Sequence, residues 1–434
     1  MNRVALFFAT LAFLLFPMHG SAQNGTIHIY VGAPGRNKVP IALPTPVGGH
    51  PKAAEFYGVV RRDLELSGWF EVISSDAYIE TESAGIMPGQ FNFDDWDVPG
   101  AVALGKMGLS AKANDQIRAE VWVYDVPGRR RLGATALTVS ANSWRSLAHR
   151  VANEIIYQVT GQQGPFNTRF TYARKTSSGK EIGIVDFDGH GQRQITSNGS
   201  INLKPLWNHN GTAISFTSYR EGNPDLYVAE LVQGRIRRLS SRLGINVGGS
   251  WSPDGKTMAL TLAPDGNPDV YLIDPESGRQ IKRLTRSGGI DVGPTWSPDG
   301  SRIAFVSERS GGAQVYTMNA DGSNLKRVTF GGNFNTDPVW SPDGTQIGFV
   351  GRNSGHFDIF VVNADGSDMR RLTQDMGDNE DPSWSPDGNY IAFSSTRTGS
   401  SQIWMSTADG QHQAQLSLGK GGFLNPNWSP SLDW

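Results

Sequence analysis

Cysteine is absent from the 434-residue chain. This absence excludes disulfide bonds, thiolate metal sites, cysteine nucleophiles and a lipid-modified amino-terminal cysteine. An excess of basic residues is also missing, because 39 Lys and Arg residues stand against 41 Asp and Glu residues. A general surface for nucleic acid or anionic lipid needs such an excess. We therefore expect neither as a partner.

Long hydrophobic runs are missing except at the start of the chain. There, an apolar or small stretch extends from Val4 to Phe16 after a basic residue, and small residues follow up to Ala22. A membrane-spanning helix needs about 20 apolar residues, so this stretch is too short. The pattern predicts a signal peptide cleaved after Ala22, with an uncleaved anchor as the alternative. The mature chain is expected in solution, without membrane insertion.

A repeated phrase dominates the second half of the sequence. Six Trp residues recur at spacings of 44, 45, 44, 44 and 44: Trp207, Trp251, Trp296, Trp340, Trp384 and Trp428. All but the first and the last of them begin the phrase Trp-Ser-Pro-Asp-Gly. A period of this size is typical of propeller blades with four strands each. We expect each Trp to end an inner strand and to pack between neighbouring blades.

The repeat count predicts how the ring closes. Three strand-like runs precede the first Trp phrase, at 170–173, 182–185 and 194–196, and a lone Trp phrase ends the chain. The last strand would complete the blade that these runs begin, which removes the open edge of the ring. The fold class is therefore a two-domain one: a small α/β domain, then an all-β six-bladed propeller closed by the carboxyl-terminal strand.

The region before the repeat has a different pattern. Helical spacing of apolar residues is seen in 52–66 and 143–160, and strand patterns in 27–31, 69–73 and 117–124. Gly85–Gly100 is rich in Gly, Asp and Pro and is predicted as a loop. We divide the chain into a signal peptide (1–22), a mobile amino-terminal segment (23–34), an α/β domain (35–165) and the propeller (166–434).

Several phrases resemble those of one family. They are D-L-E-L-S-G-W-F at 63–70, R-S-L-A-H-R at 145–150, N-E-I-I-Y at 153–157 and T-G-x-x-G-P-F-x-T-R at 160–169. Together with the six blades, they resemble the TolB family, the periplasmic propeller proteins of the Tol–Pal system of Gram-negative bacteria. The resemblance implies a periplasmic, monomeric, non-catalytic adaptor that supports outer-membrane invagination at cell division and outer-membrane integrity.

The loops that lead into the inner strands are the candidate binding mouth. One repeated position reads Asn or Asp in five of six units: Asn202, Asn246, Asp291, Asn335 and Asn379. Local turn bonding by these side chains is the alternative to ligand binding. The positions that follow vary in sequence: Lys204, Val292, Thr336, Asp337, Glu380, Asp381 and Asn425. A binding mouth would show such varied residues beside positions that repeat from blade to blade.

The resemblance implies partners for two regions. The mouth would bind Pal, the peptidoglycan-associated lipoprotein, and colicins exploit the same mouth in some family members. The segment Gln23, Asn24, Gly25, Thr26, Ile27, His28, Ile29 and Tyr30 would bind TolA, an inner-membrane protein. Side chains alternate in character along this segment as in a β-strand, so it could add as a strand to a sheet edge of the partner. An ordinary first strand of the small domain is an equal alternative.

Chemistry at the channel is expected to be limited. No cofactor is expected, although Asp291, Asp337 and Asp381 suggest a weak calcium site, since calcium prefers oxygen ligands. The sequence has no G-x-S-x-G, H-E-x-x-H or P-loop motif. His149 is interpreted as a structural or interdomain hydrogen-bonding residue. A periplasmic propeller enzyme, such as a sugar lyase or a peptidase-like protein, is the alternative function.

Overall fold

The computed structural model describes residues 33–432, apart from residues 36, 81–83, 354 and 375. The predicted signal peptide, the strand expected at 27–31 and the candidate TolA segment Gln23–Tyr30 lie outside the described residues. Within the described part, no helix combines the length and the apolar character that crossing a bilayer would require.

A five-stranded sheet with two long helices forms the amino-terminal domain. Its elements are β1 (Val39–Ala42), α1 (Ala53–Leu66), β2 (Phe70–Val72), α2 (Asp94–Asp97), β3 (Ala103–Lys112), β4 (Gln116–Asp125), β5 (Arg130–Ser140) and α3 (Trp144–Thr160). The strand order is β2-β1-β3-β4-β5. Strand β1 is parallel to both of its neighbours, and the β3–β4 and β4–β5 pairs are antiparallel.

The helices form where the apolar spacing predicted them. In α3, Leu147, Val151, Ile155 and Val159 follow one another at four-residue intervals, and all four are buried. Such spacing places the side chains on one face of a helix. Gly161 ends the helix with a φ of 76°, a left-handed conformation that glycine adopts without steric cost.

The sequence predicts a loop over Gly85–Gly100, but part of this segment is helical. It contains the short helix α2, which carries the fully buried Trp96. The indole of Trp96 packs in a small apolar cluster and donates a 3.0 Å hydrogen bond to Glu80. Burial of this one large side chain gives structure to a stretch whose composition alone indicates a turn region.

Six four-stranded blades follow, and the predicted fold class is confirmed. The strands of the first complete blades are β9 (Asn202–Trp207), β10 (Ala213–Ser218), β11 (Asp225–Glu230) and β12 (Arg235–Ser240) in blade 1; β13 (Asn246–Trp251), β14 (Met258–Leu262), β15 (Asp269–Ile273) and β16 (Gln280–Arg283) in blade 2; and β17 (Asp291–Trp296), β18 (Arg302–Ser307), β19 (Gln314–Asn319) and β20 (Lys326–Arg327) in blade 3.

The remaining blades repeat this order. Their strands are β21 (Asn335–Trp340), β22 (Gln346–Asn353), β23 (His356–Asn363) and β24 (Arg370–Arg371) in blade 4; β25 (Asn379–Trp384), β26 (Tyr390–Ser395), β27 (Gln402–Thr407) and β28 (Gln413–Gln415) in blade 5; and β29 (Phe423–Trp428), β6 (Arg169–Lys175), β7 (Lys180–Asp186) and β8 (Arg193–Gln194) in blade 6. Each inner strand ends at its Trp, as predicted.

Blade 6 closes the ring, as the repeat count predicted. Its inner strand β29 comes from the end of the described chain and pairs antiparallel with β6, with Trp428 opposite Phe170. The aromatic rings of these two residues are 4.7 Å apart. Because a closed ring has no free inner edge, every blade has a neighbour on both sides.

The two domains share one hydrophobic core. Buried side chains of α1 and α3 belong to the same cluster as Trp428, Tyr390 and Phe187 of the propeller. The hydroxyl of Tyr390 donates a 2.7 Å hydrogen bond to the carbonyl oxygen of Ser67. These contacts lie on blades 5 and 6, at the end of the channel where the inner strands end in Trp. None of the described residues of this domain lines the channel at its opposite end.

A buried cluster of charged side chains lies between the domains. His149 Nδ1 is 2.6 Å from Asp63 Oδ2, and both side chains are buried. Across the domain boundary, Arg145 forms an ion pair with Asp188 of the propeller, and His190 also contacts Asp188. Asp63, His149 and Asp188 are the one group of described residues whose ligand atoms would suit a metal ion. Arg145 and His149 lie against the two carboxylates, so the cluster contains its own groups of opposite charge.

The ionisation of His149 stabilises this arrangement. Burial alone would lower the pKa of His149, but the carboxylates of Asp63 and Asp188 outweigh burial and raise it. Burial would likewise raise the pKa of Asp188, but His149 and Arg145 lower it. The structural interpretation of His149 therefore agrees with its contacts, and its hydrogen-bond partner lies within its own domain.

We predict a pH dependence of stability from His149. Because its pKa is raised in the folded protein, its stabilisation is complete below the ordinary value of 6.5 and is lost as the pH rises through the raised value. Between about pH 6 and about pH 9, the melting temperature of the parent protein should fall more than that of His149→Gln. His356→Gln, at an exposed position, is the control. Parallel curves for the parent and His149→Gln would contradict the prediction.

Candidate functional site at the mouth of the propeller channel

The inner strands of the six blades surround a central channel. A cavity of about 510 Å³ extends along it and is lined by residues of all six inner strands, including all six repeat Trp residues. The Trp rings also pack between blades as predicted. For example, Trp384 donates a 3.3 Å hydrogen bond to Val339 O of the preceding blade. The repeat Trp residues therefore also line the channel, which the repeat pattern did not predict.

Every inner strand contains a bulge at the same place. The residues there all have positive φ: Lys204 (49°), Gly248 (84°), Gly293 (62°), Asp337 (51°), Asp381 (57°) and Asn425 (49°). Except for Gly248, each residue precedes a proline. Left-handed backbone costs on the order of 1–3 kcal/mol at a non-glycine residue, and such strain concentrates at functional sites. A bulge also redirects its side chain, and all six positions line the cavity.

A lysine crosses the mouth. Lys204 belongs to blade 1 and Asp337 to blade 4, which face each other across a six-bladed ring. The ammonium of Lys204 is 2.8 Å from Asp337 Oδ1 and 2.7 Å from Asp381 Oδ1. Asn425 joins the network by donating from Nδ2 to Asp381 Oδ1 at 2.8 Å. Four of the six ring positions are therefore bonded together across the mouth.

The remaining two ring positions are Gly248 and Gly293, on blades 2 and 3. No atom other than those of chain neighbours lies within 4 Å of the place where a Cβ would be at either residue. Beside the bonded side chains, the mouth therefore has an open gap. Val292 and Thr336 flank this gap and also line the cavity. This half of the mouth is the accessible part of the channel.

The charges at the mouth depend on one another. Burial alone would lower the pKa of Lys204, but Asp337 and Asp381 outweigh it and raise the pKa. Burial would raise the pKa of Asp381, but Lys204 and Asn425 lower it. Burial, followed by the negative charge of Asp381, raises the pKa of Glu380. One ammonium thus neutralises part of an acidic patch.

The repeated Asn or Asp position does not line the mouth. Asn202, Asn246, Asp291, Asn335 and Asn379 are all buried, and none of them lines the cavity. Their side chains bond the loops around them. Asn246 Oδ1 accepts a 2.7 Å bond from Ser240, and Asp291 pairs with Arg309 at 2.9 Å. These contacts favour local turn bonding for the five residues, and their part in partner binding stays a prediction.

The structure does not assemble the predicted calcium ligands. Asp291 is paired with Arg309, whereas Asp337 and Asp381 share the ammonium of Lys204. The three carboxylates are not among the described groups whose ligand atoms lie within 4.8 Å of one another. A side-chain cation lies between two of the three carboxylates, and calcium binding here stays a prediction.

Of the other predicted mouth residues, Lys204, Val292, Thr336, Asp337, Asp381 and Asn425 line the cavity, and Glu380 is partly buried beside it. Sequence reasoning missed the role of Gly248 and Gly293. It also missed that the residue before each proline is the one turned into the channel. The fixed position of that proline in five of six repeats was the signal that could have revealed it.

The fold and the mouth together define a class: a six-bladed propeller with an α/β domain at one end and an open, polar mouth at the other. Known proteins identify the family. The TolB amino-terminal domain matches residues 27–132, and the TolB beta propeller domain matches residues 156–432. The second match covers more than half of the chain, so the chain belongs to the TolB family.

Individual relatives agree with this assignment. The Tol-Pal system protein TolB of Anaeromyxobacter dehalogenans is 37% identical over 228 residues, which are 52% of this chain and 52% of the relative. That of Geobacter sulfurreducens is 39% identical over 217 residues, 49% of this chain and 50% of the relative. The chain thus spans about half the length of these curated relatives in the matched segments. The crystal structure of TolB from Acinetobacter baumannii superimposes with a TM-score of 0.82 at 27% identity, covering 93% of this chain and 99% of that chain.

We predict that Lys204 excludes calcium from the mouth. In Lys204→Met, Asp337 and Asp381 lose their shared cation, and oxygen ligands that face one another suit calcium. Added calcium should therefore raise the melting temperature of Lys204→Met more than that of the parent protein, through ligand binding to the folded state. Lys256→Met, at an exposed turn position, is the control. An equal response of the two variants to calcium would show that the ammonium does not occupy a cation site.

Proposed function

We propose that this protein is a non-catalytic periplasmic adaptor of the Tol–Pal system that binds the lipoprotein Pal at the propeller mouth. The observation that carries this proposal is the half-open mouth: strained residues arrange a charged network on one side, and Gly248 and Gly293 leave a gap on the other. Strained backbone of this kind clusters at ligand-binding and switch sites. Family membership supports the identity of the partner.

The surroundings of the channel favour binding over catalysis. Of the described residues that line the cavity, His209 is the single histidine, and it follows the end of inner strand β9 rather than its start at the mouth. The mouth carboxylates of Asp337 and Asp381 are engaged by Lys204. A general base needs to reach its substrate proton, and these acids are committed to a structural ion pair. No observation at the channel favours the alternative of a lyase or peptidase-like enzyme.

The position of the amino-terminal domain is compatible with an adaptor. It packs on blades 5 and 6 at the Trp end of the channel, and none of its described residues lines the mouth. We further propose that the segment Gln23–Tyr30 binds TolA. One partner in the outer membrane and one in the inner membrane would then be linked through a single chain, which would support outer-membrane invagination at division and outer-membrane integrity. Colicins that target the mouth would compete with Pal.

The mouth assignment predicts a position-dependent loss of Pal binding. Val292 lies in the accessible half of the mouth, whereas Val232 is 78% exposed in the hairpin between β11 and β12. In calorimetric titrations with the soluble domain of Pal, the chain from residue 23 onward should bind with a Kd of about 1 μM or tighter. Val292→Arg should weaken this binding at least about tenfold by steric obstruction.

Val232→Arg is the matched control and should bind Pal like the parent protein. Equal binding by both Arg variants would leave the partner in place and reject the mouth as its site. No binding of Pal by the parent protein would reject the proposed function itself.

The TolA assignment predicts an independent effect. Deletion of Gln23–Tyr30 should abolish binding of the TolA periplasmic domain, because an alternating segment can add a strand to a partner sheet through its main chain. The same deletion should not change the melting temperature of the propeller, which can be measured by circular dichroism. If the chain that lacks Gln23–Tyr30 still bound TolA, this segment would be excluded as the binding site.

A further inference from the structure

Three seams between consecutive blades share one kind of contact. A basic side chain on the outermost strand of one blade donates to a backbone carbonyl in the outer hairpin of the next blade. Arg237 donates to Glu276 O at 3.0 Å, and Lys282 donates to Asp321 O at 2.7 Å. Between blades 4 and 5, Arg370 donates in the same way to the hairpin that follows β27. These bonds join neighbouring blades at three of the six seams, at the side of the propeller.

The seam between blades 3 and 4, which lies between two of these seams, lacks this contact and has instead a 3.4 Å hydrogen bond from Arg302 to Gly344 O. Lys326 on β20 is the counterpart of Lys282, and Asp365 is the counterpart of Asp321, with the same spacing along the chain. Lys326 nevertheless forms no hydrogen bond or ion pair with the described residues. Instead, the seam opens into a groove of about 560 Å³. This volume is within the range typical of ligand sites.

The groove is electropositive. Arg302, Lys326 and Arg327 line it, against a single carboxylate, Asp365. Asp365 is already engaged, since it accepts 2.6 Å and 2.9 Å hydrogen bonds from Ser367. Three cations around one satisfied anion leave a net positive field in the groove, which would attract a negatively charged ligand.

Two of these cations are held in place before any ligand arrives. The guanidinium of Arg302 lies over the Trp340 ring at 4.6 Å from its centroid. Arg327 donates a 2.6 Å hydrogen bond to Thr329 O and lies 5.0 Å from the ring centroid of Phe330. Side chains that are already ordered lose little conformational entropy on binding. The groove is therefore preorganised, with Lys326 as its one freely exposed cation.

Exposed apolar side chains accompany the positive charge. Phe330 is 69% exposed, and Leu325 and Met369 are 41% and 46% exposed. Leu325 and Phe330 lie on either side of the lysine–arginine strand β20, and Met369 directly precedes β24. Strand β20 is the outermost strand of blade 3, so its outer edge is available for main-chain hydrogen bonds with an extended peptide. An acidic peptide that also carries an apolar side chain would use both the cations and these apolar groups.

We infer that the seam between blades 3 and 4 is a second docking site, separate from the mouth, for an extended acidic peptide segment of a protein partner. The peptide carboxylates pair with Lys326, Arg327 and Arg302, and an apolar side chain of the peptide packs on Phe330. Because the groove lies on the side of the ring, the mouth remains free when this site is occupied.

The repeat supplies a matched control for the test. Lys326 and Lys282 are both exposed residues of outermost strands, but only Lys326 borders the groove. Binding of a fluorescein-labelled hexapeptide, Glu-Glu-Leu-Glu-Phe-Glu, to the chain from residue 23 onward is measured by fluorescence anisotropy. Binding should be saturable at an ionic strength of about 0.01 M and weaker at about 0.15 M.

Lys326→Glu should weaken peptide binding at least about tenfold, and Lys282→Glu should change it less than about twofold. Phe330→Ser should also weaken it, while all three variants should retain binding of Pal at the mouth and cooperative thermal unfolding. Absence of saturable binding, or an equal loss in Lys326→Glu and Lys282→Glu, would overturn the inference. Binding of a dextran sulfate oligosaccharide that depends on Lys326 but not on Phe330, without peptide binding, would overturn it in favour of a polysaccharide.

Discussion

The pairing of β29 with β6 is the interaction on which the rest of the structure depends. It joins strands that are separated by most of the chain and turns an open row of blades into a ring. Only in a closed ring do blades 1 and 4 face each other, so that Lys204 can reach Asp337. The same closure places Trp428 against Phe170 and brings it into the core shared with the amino-terminal domain. Channel, mouth and domain interface are thus consequences of one antiparallel pairing.

Backbone strain and electrostatics are coupled at the mouth. A bulge in each inner strand holds one residue in a left-handed conformation and directs it into the channel. Where that residue is glycine, the mouth is open. Where it carries a side chain, the side chain takes part in a network centred on Lys204 and Asp381. The strain is sustained because the surrounding sheet and the following proline determine the backbone on both sides.

The positions at which the blades differ from one another give this propeller its individual surfaces. The buried Asn or Asp residues that recur in five units bond their own loops. The residue before the proline is Lys, Gly, Asp or Asn depending on the unit, and it lines the channel. At the side of the ring, the contact made by Lys282 is missing at Lys326, and a groove lies there instead. A regular repeat supports the fold, and its irregular positions give the ring chemically distinct surfaces.

The sequence by itself determined the blade count, the closure and the two helices of the first domain. These features follow from local periodicity and from turn chemistry, which neighbouring residues impose on one another. It did not reveal that Asp291 and Asp337 belong to separate ion pairs, or that Trp96 builds a helix inside a Gly-rich stretch. Only the tertiary structure decided these points. The pairing of Lys204 with Asp337 joins residues in opposite blades, and its distance depends on ring closure and on the bulge direction. A contact between residues so far apart in the chain produces no repeating pattern in the sequence.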